Sequence, residues 1–219
     1  MKFITNLRRR KHIKKLGQLN TISVPDTARI KINIYGKNNT VIIDRPECNF
    51  RGNINIYGDN NVIRIENGYD TVIDIDIGAG LERRTNNCTF NIGRDLYCGG
   101  AYVMIGEDGF NFSIGNDCML SSGIDIYGTD GHTITNSSGE ILNIGRNIKI
   151  GNHVWIGKDV KINKNTIIAD NCIVGWGAIV TRQFIQSNVT IAGNPAKIVK
   201  ENVHWERTFT NNFIKSNKE

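Results

Sequence analysis

A histidine follows an aspartate by two residues in a polar stretch of the chain, residues 127–143. The run around them reads GTDGHTI from Gly128 to Ile134. Imidazole has an ordinary pKa of about 6.5, so it can accept a proton from a substrate near neutral pH. A nearby carboxylate can hold the ring in the tautomer that a general base needs. His132 therefore has the chemistry of a general base with Asp130 as its orienting group, although an aspartate in a glycine-rich loop is also a common turn former.

The polar stretch interrupts a six-residue repeat that then runs without a break from Ile144 to Phe184. Each hexad begins with an aliphatic residue, and the starters are Ile144, Ile150, Ile156, Ile162, Ile168, Val174 and Val180. The residues four positions later are Ile148, Val154, Val160, Thr166, Cys172, Ala178 and Phe184. The residue directly after the starter is most often glycine, which suits a bend that needs positive φ or close backbone contact.

A period of six predicts a stacked β architecture. Side chains alternate along a strand, so the fourth position after one starter and the next starter point to the same side. Three short strands and three bends close a triangular coil of about 18 residues, and successive coils stack about 4.8 Å apart. An α-helix is excluded, because a period of six leaves no constant apolar face on a helix of 3.6 residues per turn. The sequence therefore predicts an all-β fold, a parallel β-helix, whose handedness the period does not determine.

The amino-terminal half continues this pattern with more interruptions. Isolated starts such as Ile92-Gly93 and Ile114-Gly115 persist, and INIYGKNN at 32–39 recurs as INIYGDNN at 54–61. The spacing of 22 residues between these two segments is interpreted as one coil plus a short protrusion. An antiparallel β domain is the alternative for this half of the chain.

Positive charge is concentrated at the amino terminus. Seven of the 27 basic residues lie in the first 15 positions, and the rest of the chain carries 20 basic and 21 acidic residues. Apolar residues such as Phe3, Ile4 and Leu7 are interleaved with the basic ones. This start is interpreted either as a helix that caps the first coil or as a segment that touches an anionic membrane surface or acidic partner. Basic residues confined to one end, with few aromatic residues among them, argue against nucleic-acid binding.

The cysteines indicate a reducing compartment. There are five, an odd number, without a Cys-x-x-Cys pair. Cys118 and Cys172 occupy the small inward position of a hexad, so both are predicted to fill the core. No apolar run of about 18 residues predicts a membrane-spanning helix, and no unbroken apolar run follows the basic start as in a signal peptide. We expect a cytoplasmic protein.

Four segments of the chain resemble the hexapeptide-repeat acyltransferases, which fold as left-handed parallel β-helices. They are TDGHTI (129–134), IGNHVWIG (150–157), VGWGAIVT (174–181) and IAGNPAKIV (191–199). The branch that the chain is most similar to modifies hydroxyl groups: the bacterial O-acetyltransferases of capsular polysaccharide, lipopolysaccharide or related glycans. The resemblance implies a left-handed β-helix with short terminal helices and an acetyl-CoA-dependent O-acetyltransferase.

The resemblance also implies roles for three side chains in the chemistry. His132 would be the catalytic base, removing the proton from an acceptor hydroxyl as its oxygen attacks the thioester of acetyl-CoA. Asp130 would orient the imidazole. Trp155 points outward by alternation, toward the acyl-CoA arm and acceptor or toward a neighbouring subunit. No metal is expected to take part.

Further residues are implied to bind acetyl-CoA along the later hexads: Gly157, Gly175, Trp176, Gly177, Ala178, Thr181, Arg182 and Lys197. The backbone around the glycines and Ala178 would bind the pantetheine arm, and the threonine and the two basic residues would lie near the nucleotide phosphates. Trp176 departs from the family, which usually has a small residue there. Arg182 is alternatively a solvated surface charge, and His153 is either a surface residue or a contributor to acceptor binding.

Three other functions compete with O-acetyl transfer. An N-acetyltransferase acting on a nucleotide-linked amino sugar would use the same base. A zinc hydratase of the γ type needs three histidine ligands, and the predicted coils offer only His132 and His153. A non-catalytic β-solenoid scaffold would explain the hexads but not a histidine-bearing loop placed before the IGNHVWIG segment.

The predicted organisation has three parts: a basic amino-terminal segment at 1–24, helical in the capping interpretation, a β-helix domain at 25–192 with its catalytic loop at 127–143, and a carboxyl-terminal segment at 193–219. A short helix near Asn202 to Trp205 is expected to cover the last coil, because an open coil would expose unpaired strand edges. The expected partners are acetyl-CoA, a sugar or polysaccharide acceptor and two further copies of the chain in a homotrimer.

Overall fold

The computed structural model describes residues 12–44, 50–66, 68–210 and 212. These residues form short strands joined by tight bends. The strands are β1 (His12–Lys15), β2 (Thr21–Ser23), β3 (Arg29–Ile34), β4 (Thr40–Ile43), β5 (Phe50–Ile56), β6 (Val62–Ile65), β7 (Thr71–Ile77), β8 (Thr89–Ile92), β9 (Tyr97–Ile105), β10 (Asn111–Ile114), β11 (Met119–Leu120), β12 (Ile124–Tyr127), β13 (Asn147–Ile150), β14 (Trp155–Ile156), β15 (Lys161–Asn163), β16 (Thr166–Ile168), β17 (Ile173–Val174), β18 (Ile179–Val180), β19 (Val189–Ala192) and β20 (Lys197–Glu201).

The strands stack in three parallel ladders that form the sides of a triangular prism. The first ladder contains β11, β14, β17 and β19, and the second runs from β1, β3, β5, β7 and β9 into β12, β15 and β18. The third ladder contains β2, β4, β6, β8, β10, β13 and β16. Among the described strands, only β20 pairs antiparallel, against β19 at the end of the prism. The predicted parallel β-helix is confirmed, and the antiparallel alternative for the amino-terminal half is wrong.

The coil length follows from the pairing register. Trp155 pairs with Ile173 and Lys161 with Ile179, so the carboxyl-terminal coils advance 18 residues each. Ile32 pairs with Ile54, which confirms that the 22-residue repeat is one coil with a small protrusion.

The aliphatic starters form the core as the period predicts. From Ile150 onward every starter and every fourth-position residue is buried, and these are Ile150, Val154, Ile156, Val160, Ile162, Thr166, Ile168, Cys172, Val174, Ala178, Val180 and Phe184. Ile144 is the exception among the predicted starters, because its side chain is 45% exposed and the next strand begins only at Asn147. The regular inward pattern therefore starts at Ile148.

The bends combine a residue of positive φ with a glycine that allows close backbone contact, and the two lie at different positions of the hexad. The residue three after a starter has positive φ, as at His153, Asp159 and Asn165. The glycine directly after a starter is instead needed for close contact: a Cβ on Gly157 would lie 2.9 Å from the Val174 carbonyl oxygen. The close-contact explanation for these glycines is thus correct, whereas positive φ belongs to a different residue.

No helix is found at residues 12–24 or 202–205, whereas Thr210 and Asn212 are helical at the edge of the described residues, so a short helix farther along the carboxyl-terminal segment stays a prediction. Residues 12–15 and 21–23 form β1 and β2 of the first described coil, and these strands pair with β3 and β4 of the next coil. Residues 1–11 of the predicted capping segment lie outside the described residues. Residues 202–205 are not helical, and the end of the prism is covered by the antiparallel strand β20. No helix in the described part of the chain has the length and hydropathy needed to cross a membrane.

Four cysteines lie in the prism interior: Cys88, Cys98, Cys118 and Cys172. Burial raises the pKa of the Cys118 thiol to about 12 and that of the Cys88 thiol to about 11. The prediction that Cys118 and Cys172 fill the core is confirmed.

Candidate active site

The loop that carries His132 is an insertion the length of a whole coil. Asp125 on β12 pairs with Lys161 on β15, a separation of 36 residues where neighbouring coils have 18. The excursion runs from residue 128 to residue 146, between β12 and β13, three residues farther than predicted at its carboxyl end. Its base is tied down by the Gly128 N–H, which donates to the Met104 carbonyl over 2.7 Å. Within the loop, Thr135 and Ile141 form an isolated antiparallel β-bridge.

His132 lies at the exposed side of this loop. Its main chain is held, because Asn143 Nδ2 donates to the His132 carbonyl oxygen over 2.8 Å. Among the contacts of the described residues, none joins the imidazole ring to another side chain. The backbone is therefore positioned while both ring nitrogens remain accessible to a substrate.

Asp130 lies close by in the loop, and its carboxylate is bound to other groups. Oδ2 forms an ion pair with the ammonium of Lys164, whose side chain is largely buried, and accepts a hydrogen bond from Asn143 Nδ2 over 2.9 Å. The Lys164 interaction, followed by that of Asn143, lowers the pKa of Asp130 below its ordinary value. In a single subunit Asp130 therefore fixes the loop, and its orienting action on His132 stays a prediction.

Trp155 projects outward from the first ladder, as alternation predicts, and is 38% exposed. Its neighbours in register are Met119 on β11 and Ile173 on β17. Tyr97 lies one coil farther along the same row. The side chains in register with Trp155 on the outer face of the first ladder are therefore aromatic or apolar.

The small residues predicted to bind pantetheine lie at two stacked bends, Gly157 in the bend after Trp155 and Gly175, Gly177 and Ala178 in the bend one coil later. Their backbone donors are engaged within the prism: Gly157 N–H donates to the Val174 carbonyl over 2.8 Å, and Gly175 N–H to the Ile191 carbonyl over 2.7 Å. The Ala178 N–H donates to the Gly175 carbonyl over 3.2 Å. A ligand at these two bends therefore cannot use these three N–H groups without breaking a hydrogen bond within a bend or between coils.

Trp176 stands at the next bend, and its indole is 70% exposed. Its Nε1 donates to Asp159 Oδ2 over 3.3 Å, and the Lys158 ammonium lies 5.5 Å from the ring centroid. Gly177 follows with positive φ, the conformation that favours glycine. The indole of Trp176 is therefore exposed at a corner of the coil.

Two of the residues predicted near the nucleotide phosphates share an open groove at the carboxyl-terminal end of the prism. The groove has a volume of about 510 Å³, and its lining includes Arg182 and Lys197 together with Phe184 and Ile198. The Arg182 guanidinium stacks 5.2 Å from the Phe184 ring centroid. Thr181 is exposed beside Arg182. Two cations at one groove form a suitable site for phosphate groups.

The predicted base and the residues predicted to bind pantetheine lie at different edges of one prism, whereas Thr181 and Arg182 follow β18 toward the third ladder, on the same edge as the loop. His132 is in the loop that leaves the second ladder toward the third, whereas Trp155 belongs to the first ladder. Gly157 lies at the bend that joins the first ladder to the second. A single subunit therefore does not bring all the predicted site residues together.

A cluster around His153 was missed by reasoning from the sequence. His153 Nδ1 lies 2.6 Å from Asp117 Oδ2, and the ring stacks on Trp205 with centroids 4.1 Å apart. Arg207 Nε donates to Asp117 Oδ1 over 2.9 Å. The interpretation of His153 as a plain surface residue is wrong. One signal was available, since Asp117 and His153 both stand three residues after a starter, in neighbouring coils.

Comparisons with known proteins agree with this geometry. Residues 147–182 match the family model described as bacterial transferase hexapeptide, six repeats. A polysialic acid O-acetyltransferase of Escherichia coli O1:K1 is 35% identical over 128 residues, which are 58% of this chain and 41% of that protein. This chain thus spans less than half the length of that relative.

Two crystal structures are similar over nearly the whole chain. The polySia-specific acetyltransferase NeuO is 30% identical with a TM-score of 0.83, and the alignment covers 95% of this chain and 94% of NeuO. The polysialic acid O-acetyltransferase OatWY is 32% identical with a TM-score of 0.78, covering 94% of this chain and 98% of OatWY. Sequence identities of 30% and 32% over nearly the full length of NeuO and OatWY, together with the hexad match, confirm the left-handed β-helix. The chain belongs to the hexapeptide-repeat acyltransferase family, alongside the polysialic acid O-acetyltransferases.

Proposed function

We propose that this protein is an O-acetyltransferase that moves an acetyl group from acetyl-CoA to a hydroxyl of a sugar or surface polysaccharide. The observation that carries the proposal is the exposed imidazole of His132 on a loop that is tied to the prism through Gly128 and Lys164 and held internally by Asn143. Likeness to NeuO and OatWY over the full chain supports the same chemistry.

In the proposed reaction, an unprotonated nitrogen of His132 takes the proton of the acceptor hydroxyl as the oxygen bonds to the thioester carbon. The tetrahedral intermediate then collapses, the carbon–sulfur bond breaks, and the imidazolium returns its proton to the departing thiolate. The products are the acetyl ester and free CoA. Positioning of the two substrates supplies much of the acceleration, and the base contributes about 10²–10⁴-fold.

The donor is proposed to lie along the bends that hold Gly157, Gly175, Trp176, Gly177 and Ala178. Its nucleotide phosphates would lie at the groove of Arg182 and Lys197, where the Thr181 hydroxyl is also exposed. Trp155 would contact the acyl end or the acceptor. Because three backbone N–H groups at these bends are engaged, the pantetheine amides would use neighbouring donors and the exposed carbonyls.

The site is proposed to be completed between copies of the chain in a homotrimer. The second ladder separates the edge that carries the loop of His132 from the edge that carries Gly157. A cyclic arrangement with the second ladder toward the axis would place each loop against the donor-binding edge of the next copy. This arrangement accounts for the separation of the site residues within one subunit.

The relatives named above are polysialic acid O-acetyltransferases, so polysialic acid is the first acceptor to test. Because the proposed donor, acetyl-CoA, is a cytoplasmic metabolite, we place the reaction in the cytoplasm. The basic segment before residue 16 would allow peripheral contact with the inner membrane surface.

Replacement of His132 by Ala tests the proposal directly. CoA release and acetyl incorporation are measured with acetyl-CoA and polysialic acid, and we expect a loss of at least about 10²-fold with unchanged circular dichroism. His12→Ala is the matched control, because His12 is an exposed histidine in the first described coil. Near-normal turnover by the His132 variant would exclude this residue as the base.

The chemical stability of the product separates the two acetyl-transfer functions. An O-acetyl ester hydrolyses in mild alkali, whereas an N-acetyl amide survives. An alkali-stable product would favour the N-acetyltransferase on a nucleotide-linked amino sugar.

A further inference from the structure

The carboxyl-terminal strap, defined here as residues 203–207, crosses several coils of the prism. The Val203 N–H donates to the Asn188 carbonyl over 2.9 Å, and Trp205 Nε1 donates to the His153 carbonyl over 2.9 Å. Arg207 Nη2 donates to the carbonyls of Asp95 and Cys118 over 2.9 and 3.0 Å. The strap therefore follows the row of bends between the third and first ladders, back toward the amino-terminal coils.

The strap is bound there by a charged network. The nitrogens of His153 face two acceptors, Asp117 Oδ2 at 2.6 Å and the Trp205 carbonyl at 3.1 Å. Burial opposes ionisation of Asp117, but hydrogen bonds from His153 and Arg207 outweigh it and lower the Asp117 pKa. The Arg207 guanidinium also stacks 5.0 Å from the Tyr69 ring centroid.

This network places one indole beside another. Trp205 is only 5% exposed, and its ring centroid lies 6.2 Å from that of Trp155 at an interplanar angle of 45°. Along the ladder, Trp155 is flanked by Met119 and Ile173. Trp205 therefore closes the side of Trp155 next to the strap and limits the rotamers that the half-exposed indole can adopt.

We infer that Trp205 is a positioning residue, which holds the indole of Trp155 in the orientation required at the acyl-transfer site. The inference rests on the proposed function, in which Trp155 contacts the acyl end or the acceptor. Trp205 acts through Trp155 and does not itself touch the reacting atoms. Arg207 and His153 contribute by fixing the strap on which Trp205 stands.

Fluorine NMR of protein labelled with 5-fluorotryptophan measures the positioning without any substrate. The three tryptophans of the chain, Trp155, Trp176 and Trp205, are assigned by single replacement with Phe. In Trp205→Leu we expect the Trp155 resonance to shift and broaden while the Trp176 resonance stays in place. Arg207→Met, which releases the strap and leaves both indoles present, should broaden the Trp155 resonance as well. An unchanged Trp155 resonance in both variants would overturn the inference.

Kinetics then connect the orientation of Trp155 to acetyl transfer. With polysialic acid as acceptor, Trp205→Leu should lower kcat by about 10- to 100-fold with little change in KM for acetyl-CoA. Trp205→Phe keeps an aromatic wall and should restore most of the rate. Phe209→Ala, at an exposed residue just beyond the strap, is the control and should behave as wild type.

The outcomes distinguish this inference from the proposed function. If the wild-type protein transfers no acetyl group, the proposed function fails while the fluorine spectra still report whether Trp205 holds Trp155. If kcat falls only in proportion to a loss of folded protein, and the Trp155 resonance is unmoved, Trp205 has a structural role alone and the inference is wrong.

Discussion

Asp130 and Lys164 form an ion pair between the histidine-bearing loop and the following coil. The adjacent Asn143 binds both the Asp130 carboxylate and the His132 carbonyl, so one amide holds two parts of the loop in place. Thr129 adds a further tie, since its hydroxyl donates to Glu107 Oε1 over 2.9 Å. The imidazole of His132 is thus presented to solvent from a main chain with little freedom.

The Asp130 pair makes the loop sensitive to acid. Because Lys164 lowers the pKa of Asp130 in the folded protein, the pair stabilises the loop above the ordinary carboxyl range, and this contribution is lost as the pH falls through the lowered value. We expect Lys164→Met to raise the pKa of Asp130, measured from the pH dependence of its carboxyl ¹³C shift. We also expect faster proteolysis between residues 128 and 146.

Lys149→Met is the control for Lys164→Met, because Lys149 is exposed on the third ladder. Equal Asp130 titration curves in the two variants would show that the ion pair does not stabilise the loop in solution.

At the scale of the elements, the bends that close each coil lie in close contact with the backbone of the neighbouring coil. The glycines after the starters allow the backbones of two coils to approach, and the positive-φ residues two positions later turn the chain. Inside the prism, buried asparagines tie coils together: the Asn39 amide donates to the Gly58 carbonyl and its oxygen accepts from the Asn61 N–H, both over 2.9 Å. Stacked Phe90 and Phe112 add aromatic contact between coils at 4.3 Å.

Two glycine-to-alanine changes separate these effects. In Gly157→Ala the added Cβ would lie 2.9 Å from both the Trp176 nitrogen and the Val174 oxygen, so the bend must shift. We expect a thermal midpoint lower by several degrees and weaker acetyl-CoA binding, measured by calorimetry. In Gly100→Ala the nearest atom is Ser122 Cβ at 3.8 Å, an ordinary contact, so this control should unfold at or slightly above the wild-type temperature. Equal midpoints for the two variants would contradict the close-contact explanation.

The hexad period was sufficient to predict the inward residues of these elements, because alternation along a strand is a local property. It failed at Ile144, where the residue type fits a starter but the chain is still in the loop. It also missed the cluster around His153. That cluster depends on Trp205 and Arg207, which lie about 50 or more residues away along the chain, and no periodic rule relates those positions.

At the scale of the whole molecule, one prism holds two incomplete parts of the proposed site. The loop edge carries the proposed base, and the bends after the first ladder carry the residues proposed to bind pantetheine. The loop also exposes Ile134, Ile141, Leu142 and Ile144 to solvent in a single copy. These features are explained together if the loop packs against a neighbouring copy.

We therefore expect a particle of three 24.5 kDa chains in light scattering. Subunit mixing gives a stronger measurement. His132→Ala and Trp155→Ala proteins, each inactive alone, should regain about a quarter of wild-type turnover after joint refolding, because some interfaces then combine an intact base with an intact indole. An active monomer, or no recovery in mixtures shown to contain both chains, would contradict a site shared between subunits.

The sequence by itself determined the repeating unit, the inward residues, the position of the interruption and the presence of a histidine with the chemistry of a base. These are properties of alternation and residue type, and both are local. Tertiary structure alone decided which groups hold that histidine in place, that Asp130 is bound by Lys164, and that a strap from the end of the chain lies against Trp155. Stacking brings together residues from different coils, with loops of unequal length between them, so their contacts follow the register of the prism and not their spacing in the chain.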